Sequence, residues 1–219
     1  MKVVNLGAQA SVLNQFVSEL RDSGIQKDRM RFRNNVRRIG HAMAYEISKT
    51  LNYEEKSVMT PLAEAKVQLP VDELVIGTVF RAGLPLHEGF LDVFDNAGNA
   101  FLSAYRYYTN ESHREIDVKI EYLASPSLAD KTFLLVDPML ATGESMILGY
   151  KAFCTKGQPK RLILASVIAT EEGVARLQKM FPSDDVVLYT AAIDPILNEN
   201  KYIVPGLGDA GDLMFGEKA

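Results

Sequence analysis

Apolar residues recur at helical spacing in the first quarter of the chain and then give way to short continuous runs. Between 9 and 21, Leu13, Phe16, Val17 and Leu20 fall on one face and predict an amphipathic helix. Between 28 and 49 the same period carries Phe32, Val36, Ile39, Met43 and Ile47, with Asp28 placed as an N-cap. The run E-L-V-I-G-T-V-F at 73–80 has no polar stripe and predicts a strand buried on both faces. It leads into R-A-G-L-P, where Pro85 suits the first turn of a helix over 85–96. Residues 100–108 and 116–122 read as paired strands, because Ile116, Val118, Ile120 and Tyr122 alternate with polar partners. The polar link at 109–115 then forms a mobile hairpin tip. K-T-F-L-L-V at 131–136 is another buried strand, followed by a helix over 146–156 that stops at Gly157. Strands at 161–169 and 186–192 flank a helix near 171–180. Strand–helix–strand alternation predicts an α/β fold with a mostly parallel sheet covered on both faces. The Gly- and Pro-rich tail, 194–219, fits neither period.

Composition narrows the class. The 219 residues suit a single domain, and 47% apolar with 24% charged residues is ordinary for a globular chain. A formal charge of −4 speaks against a dedicated nucleic-acid binder. The one cysteine, Cys154, excludes a disulfide framework and a cysteine zinc site. No apolar run approaches the ~18 residues of a membrane span. The opening M-K-V-V-N-L-G-A-Q-A lacks the long apolar stretch of a secretory signal, so a cytoplasmic protein is expected.

Three segments carry candidate chemistry. In D-P-M-L-A-T-G-E-S (137–145) a carboxylate ends a buried strand, and small residues open a helix. Amides at such a helix mouth suit a phosphate, and Asp137 suits the hydroxyls of a sugar. The segment is neither a Walker loop nor a dinucleotide fingerprint. In R-A-G-L (81–84), Gly83 permits close backbone approach and Arg81 offers a planar fork of donors. Two anion sites at strand ends of one sheet suggest a ligand with two phosphate groups. In Y-I-V-P-G-L-G-D-A-G-D (202–212), glycines and a proline bare the backbone N–H and C=O groups, which can read the lactam edge of a flat heterocycle.

These three motifs, over nearly the whole chain, resemble the uracil phosphoribosyltransferases. The resemblance extends to R-F-R at 31–33 and A-Y-E at 44–46. It implies transfer of a phosphoribosyl group from phosphoribosyl pyrophosphate to uracil, giving UMP and pyrophosphate. It also implies a type I phosphoribosyltransferase-like fold, a single domain over 1–219 with a C-terminal hood (194–219) and a β-hairpin arm. By resemblance, Arg81 and Arg106 contact the diphosphate donor. Asp137, Pro138, Met139, Leu140, Ala141, Thr142, Gly143, Glu144 and Ser145 hold its ribose and 5-phosphate. Ile203, Gly208 and Ala210 read uracil through backbone groups. Asp209 faces both uracil and donor, through metal-bound water, so Asp137 and Asp209 are the candidate catalytic residues. Mg²⁺ is expected as cofactor, held by substrate and water with no direct protein ligand. A GTP effector and a homodimer or homotetramer are further expectations, as is the absence of nucleic-acid and membrane partners. Glu144 departs from the small residue usual there and is expected to turn outward.

The competing reading is an RNA-binding regulator of pyrimidine genes on the same fold. R-M-R-F-R-N-N-V-R-R at 29–38 supplies five arginines, read as a solvated helix face, a subunit contact or an effector site. His41, His87 and His113 are too scattered for a metal site, and His41 is expected to be packed within its helix.

Overall fold

The computed structural model describes residues 1–108 and 116–217, with 104–108 and 116–119 as backbone only. Its elements run β1 (Lys2–Asn5), α1 (Val12–Arg21), α2 (Arg29–Ser48), β2 (Tyr53–Met59), β3 (Glu64–Pro70), β4 (Leu74–Val79) and α3 (Leu84–Leu91). There follow β5 (Gly98–Tyr108), β6 (Ile116–Ala124), β7 (Thr132–Val136), β8 (Met139–Leu140), α4 (Glu144–Phe153), β9 (Arg161–Thr170) and α5 (Glu171–Met180). The chain finishes with β10 (Val187–Asp194), β11 (Ile196–Leu197), β12 (Ile203–Val204) and α6 (Ala210–Phe215).

The main sheet has the order β1-β10-β9-β7-β4-β5-β6, with β8 pairing β9. Every pairing is parallel except β5 with β6. Central strands must be apolar on both sides, and they are: all five residues of β7 are buried, as are nine of the ten in β9. Leu134, Val136, Ile163 and Ala165 face one layer, which holds Ile39, Met43 and Phe90 of α2 and α3. Phe133, Leu135, Leu162 and Leu164 face the other, which holds Phe153 of α4 and Leu177 of α5. Alternation within each strand thus splits one sheet into two cores.

From β4 the chain crosses to β5 on one side. From β7 it proceeds to β9 and β10 on the other. The order reverses between β4 and β7, and a crevice opens at the carboxyl ends of such neighbours. The loops leaving those two strands are residues 80–83 and 137–143.

Several predicted bounds shift for local reasons. α1 starts at Val12 rather than 9, because Ser11 and Asn14 form a reciprocal capping box. α3 ends at Leu91 rather than 96, where Val93 N–H turns to Phe90 O and Ala97 N–H to Phe94 O. The β2–β3 hairpin was not foreseen. Its two strands pair from Tyr53↔Pro70 to Met59↔Glu64, and nearly all their residues are exposed, so no apolar period marks them. The strands at 98–108 and 116–124 pair as expected, and the predicted tip at 109–115 lies outside the described residues.

The arginines of α2 are not simply solvated. Arg31 binds Glu19 through two hydrogen bonds, Arg37 likewise binds Asp92, and Arg33 donates to Met214 O. Arg38 donates to Asn35 and lies over the Phe16 ring. Arg29 lies against Gly216. His41 is a surface residue rather than a packed one, its Nε2 2.6 Å from Asp92 Oδ2.

Candidate active site

The 137–143 loop is built on backbone packing. Asp137 N–H completes the ladder to Ala165 O, and its Oδ1 accepts from Met139 N–H at 3.1 Å. Pro138 O accepts from Ile168 N–H, and Leu140 N–H donates to the buried Ser166 Oγ. Thr170 donates to Ala141 O while its Oγ1 also caps α5 by accepting from Gly173 N–H. A side chain at Gly173 would place Cβ 2.4 Å from Ala141 O, so the glycine lets loop and helix meet backbone to backbone. Gly143 takes φ +77° as N-cap of α4, where no side chain caps the helix. The Glu144 N–H turns back to Thr142 Oγ1 at 3.4 Å, and the N–H groups that follow in the first turn of α4 have no intrahelical acceptor, which suits an anion. Burial pushes the Asp137 carboxyl up to about 6, against the opposing pull of the Met139 N–H. Glu144 points to α5, its Oε1 3.9 Å from Arg176 Nη2.

Arg81 stands across the switch point at the end of β4. Its Nη2 donates to Asp212 Oδ1 at 2.9 Å and its Nη1 to Gly216 O at 3.3 Å. Its Nε is buried with no partner. Gly83 is fixed by space, since a Cβ there would lie 1.9 Å from Thr78 Oγ1. Arg106 lies in β5 opposite Val118, and its side chain is outside the described residues.

In the tail β11 pairs antiparallel with β12 and α6 follows, while Ile203, Leu207, Ala210 and Met214 pack into the core layer of α2 and α3. Ile203 and Ala210 are buried, whereas Gly208 is exposed at φ +90°. Asp209 caps α6, its Oδ1 accepting from Asp212 N–H at 3.0 Å. What fixes the loop between them is a clamp that sequence reasoning missed. Arg21 of α1 grips Asp194 through both carboxylate oxygens, at 2.8 and 2.7 Å. Asp194 Oδ2 accepts from Gly206 N–H at 2.8 Å, and Arg21 donates to Gly206 O at 3.0 Å. Gln26 adds a bond to Leu207 O. The Asp194 side of this ion pair is buried, at 4% exposure, and both its carboxylate oxygens are hydrogen-bonded. One signal was available: Asp194-Pro195 ends β10 as Asp137-Pro138 ends β7. A cavity of about 340 Å³ beside the clamp is lined by Asn5, Asn14, Ser18 and Arg21, and by none of the predicted site residues.

The structure therefore brings Arg81, Asp209 and the 202–212 segment together, with the 137–145 cradle on the neighbouring strand. Among the described residues, no group of three His, Cys, Asp or Glu side chains is arranged to hold a metal. No helix among them is long and apolar enough to cross a membrane.

Comparison with known proteins converges on one family. The family model for uracil phosphoribosyltransferase matches residues 8–217. The chain is 52% identical to the uracil phosphoribosyltransferase of Porphyromonas gingivalis, over all of both chains. It is 38% identical to that of Thermococcus gammatolerans, over 92% of this chain and 88% of the relative. Among solved structures, the AQ2163 protein from Aquifex aeolicus superposes with a TM-score of 0.85 at 29% identity, over 99% of each chain.

Proposed function

The chain belongs to the uracil phosphoribosyltransferase family, and from that premise we propose how its residues perform the reaction. The enzyme is a pentosyltransferase: uracil and phosphoribosyl pyrophosphate give UMP and pyrophosphate, a pyrimidine salvage step. The observation that carries the residue assignments is the meeting of the tail with the switch-point loop through Arg81 and Asp212. It supports the reading by bringing the tail against the 80–83 loop, whose strand β4 neighbours the β7 strand that leads into residues 137–143.

The donor's 5-phosphate sits on the amides that open α4, and Asp137 accepts from its ribose hydroxyls. Arg81 and Arg106 lie toward the pyrophosphate. As the bond from ribose C1 to pyrophosphate lengthens, the sugar becomes cationic and negative charge grows on the leaving oxygens. The guanidinium of Arg81, already held in place by Asp212 and Gly216, supplies positive charge for those oxygens, which is electrostatic preorganisation. Uracil lies on the backbone of Ile203, Gly208 and Ala210, with its ring nitrogen facing C1. Holding the two reactants in line supplies much of the acceleration, and no side-chain nucleophile is needed. An N–H aimed at the 4-oxo group meets an amino group in cytosine, and such sites discriminate by ~10⁴ or more.

Mg²⁺ fits this donor set. Asp209 commits one oxygen to the α6 cap, and its other oxygen would hold the ion through water. Bound with the donor, the ion supplies neutralisation of the pyrophosphate charge.

The β2–β3 hairpin supports a homo-oligomer. It presents Met59 at 77% and Leu62 at 96% exposure, a pairing surface suited to a second copy. A GTP effector at 29–38 would have to displace the intramolecular partners of those arginines, and an RNA-binding face would meet the same obstacle.

The test is a panel of bases with the purified enzyme, phosphoribosyl pyrophosphate and Mg²⁺. Uracil alone is expected to yield nucleotide. Turnover of orotate or hypoxanthine in preference to uracil would contradict the reading.

A further inference from the structure

We propose that Asp212 is a positioning residue that orients Arg81 for the donor and ties that arginine to the base-reading loop. The inference rests on the assignment of Arg81 to the diphosphate.

Asp212 touches both sides of the site at once. Its carboxylate takes Arg81 Nη2 at 2.9 Å, and its backbone N–H donates to Asp209 Oδ1 at 3.0 Å. Its carbonyl accepts from Gly216 N–H, and Gly216 O in turn receives Arg81 Nη1. Gly211 sits between the two functional groups: a Cβ there would lie 3.2 Å from Asp209 Oδ1 and 3.8 Å from Arg81 Nη2.

The carboxylate is not what docks the tail. Met214 is buried, and its carbonyl receives Arg33 Nη1 at 2.6 Å. Gly216 lies against Arg29. Upstream, the Arg21–Asp194 clamp holds Gly206. α6 therefore keeps its anchors without the Asp212 side chain, whose distinct contribution is to the guanidinium.

That contribution is orientation. A long arginine side chain loses substantial rotamer freedom when it binds, and fixing its plane beforehand removes that cost from the ligand. Arg81 has two nitrogens fixed by the tail, and its Nε has no partner within the protein. The Arg81 side chain is 38% exposed, and an incoming diphosphate oxygen takes the guanidinium hydrogens that the tail leaves uncovered. The same linkage passes from Arg81 through Asp212 to the Asp209 cap, so donor binding firms the loop that reads uracil.

The test is steady-state kinetics on Asp212→Asn, Asp212→Glu, Arg81→Ala and the Asp212→Asn/Arg81→Ala pair, with thermal melting alongside. Asp212→Asn is expected to raise KM for phosphoribosyl pyrophosphate about tenfold, the scale of one charge-assisted hydrogen bond. The melting temperature should stay within a few degrees, and Asp212→Glu should recover part of the loss. In the Arg81→Ala background the same substitution should have almost no further effect. An unchanged or lowered KM in Asp212→Asn, with Arg81→Ala impaired, would overturn the role of Asp212 while leaving Arg81 on the donor. Normal donor KM in Arg81→Ala would overturn both. Equal losses from Asp212→Asn with and without Arg81 would also overturn the coupling.

Discussion

The proposed donor cradle and the proposed base-reading tail sit on the same edge of the sheet but are held by different physics. The cradle, 137–143, hangs from two buried parallel strands and is fixed by backbone bonds to β9 and by the close approach of Gly173. The tail loop has the two-residue pairing of β11 with β12 and a few buried apolar side chains, and is tied down by Arg21 of α1, Gln26 of the α1–α2 connection and Arg33 of α2. A loop built on a sheet inherits the sheet's rigidity. A loop held by long charged side chains is only as well placed as those tethers, so a small distant change can displace it.

Three substitutions sharpen that contrast. Gly206→Ala should have the largest effect. Gly206 has φ +60°, and a Cβ there would stand 1.9 Å from Ile203 O, so the base loop must move. A displacement on that scale costs about 10²-fold in kcat/KM for uracil. Comparable loss of donor binding, measured by calorimetry, would show that the two halves are not separable.

Asp137→Asn comes next and tests the cradle alone. Asn keeps the acceptor for Met139 N–H but removes the charge proposed to accept from the ribose hydroxyls, and donor KM should rise about tenfold. The same variant should melt higher than wild type at pH 7. The sign follows from the raised carboxyl: it ionises near 3.8 in the unfolded chain and near 6 in the folded one. Between those values the folded state binds the extra proton, so stability falls as pH rises through the window and the penalty is fully present above pH 6. Donor affinity in the wild type should move the other way, weakening as pH drops below about 6. A flat pH profile between 5 and 7 for both quantities would remove Asp137 from this role.

Arg21→Lys should be mildest and confined to the base side. Lys keeps the charge on Asp194 but cannot reproduce the fork that also reaches Gly206 O. Uracil KM should rise about fivefold, with donor KM within twofold of wild type. Equal changes in both constants would mean the clamp supports the whole fold rather than the loop.

The same division governs what could be read from the chain. Strands β4, β7 and β9 were legible because burial on both faces leaves uninterrupted apolar runs. The cradle followed from its place at a strand end. α2 was legible from its stripe and from Asp28, whose side chain accepts from Arg31 N–H as a cap should. The β2–β3 hairpin was not, because YEEKSVM and EAKVQLP bury almost nothing and so carry no period. β1 is four residues long and gains its identity only from pairing with β10. In the tail, the motif pointed to the base, but the tethers Arg21 and Asp194 are separated by 173 residues and no local pattern joins them. Asp209 was expected to face ligands, and its use as the α6 cap depends on a helix of six residues that no periodicity reveals.

A crystal structure with UMP bound tests the central claim most directly, because the product spans both halves. The account predicts the pyrimidine edge within hydrogen-bond distance of the backbone of Ile203, Gly208 and Ala210, with the phosphate on the amides at the start of α4. A pyrimidine seated away from residues 202–212, or a phosphate bound elsewhere than the α4 N-terminus, would contradict it.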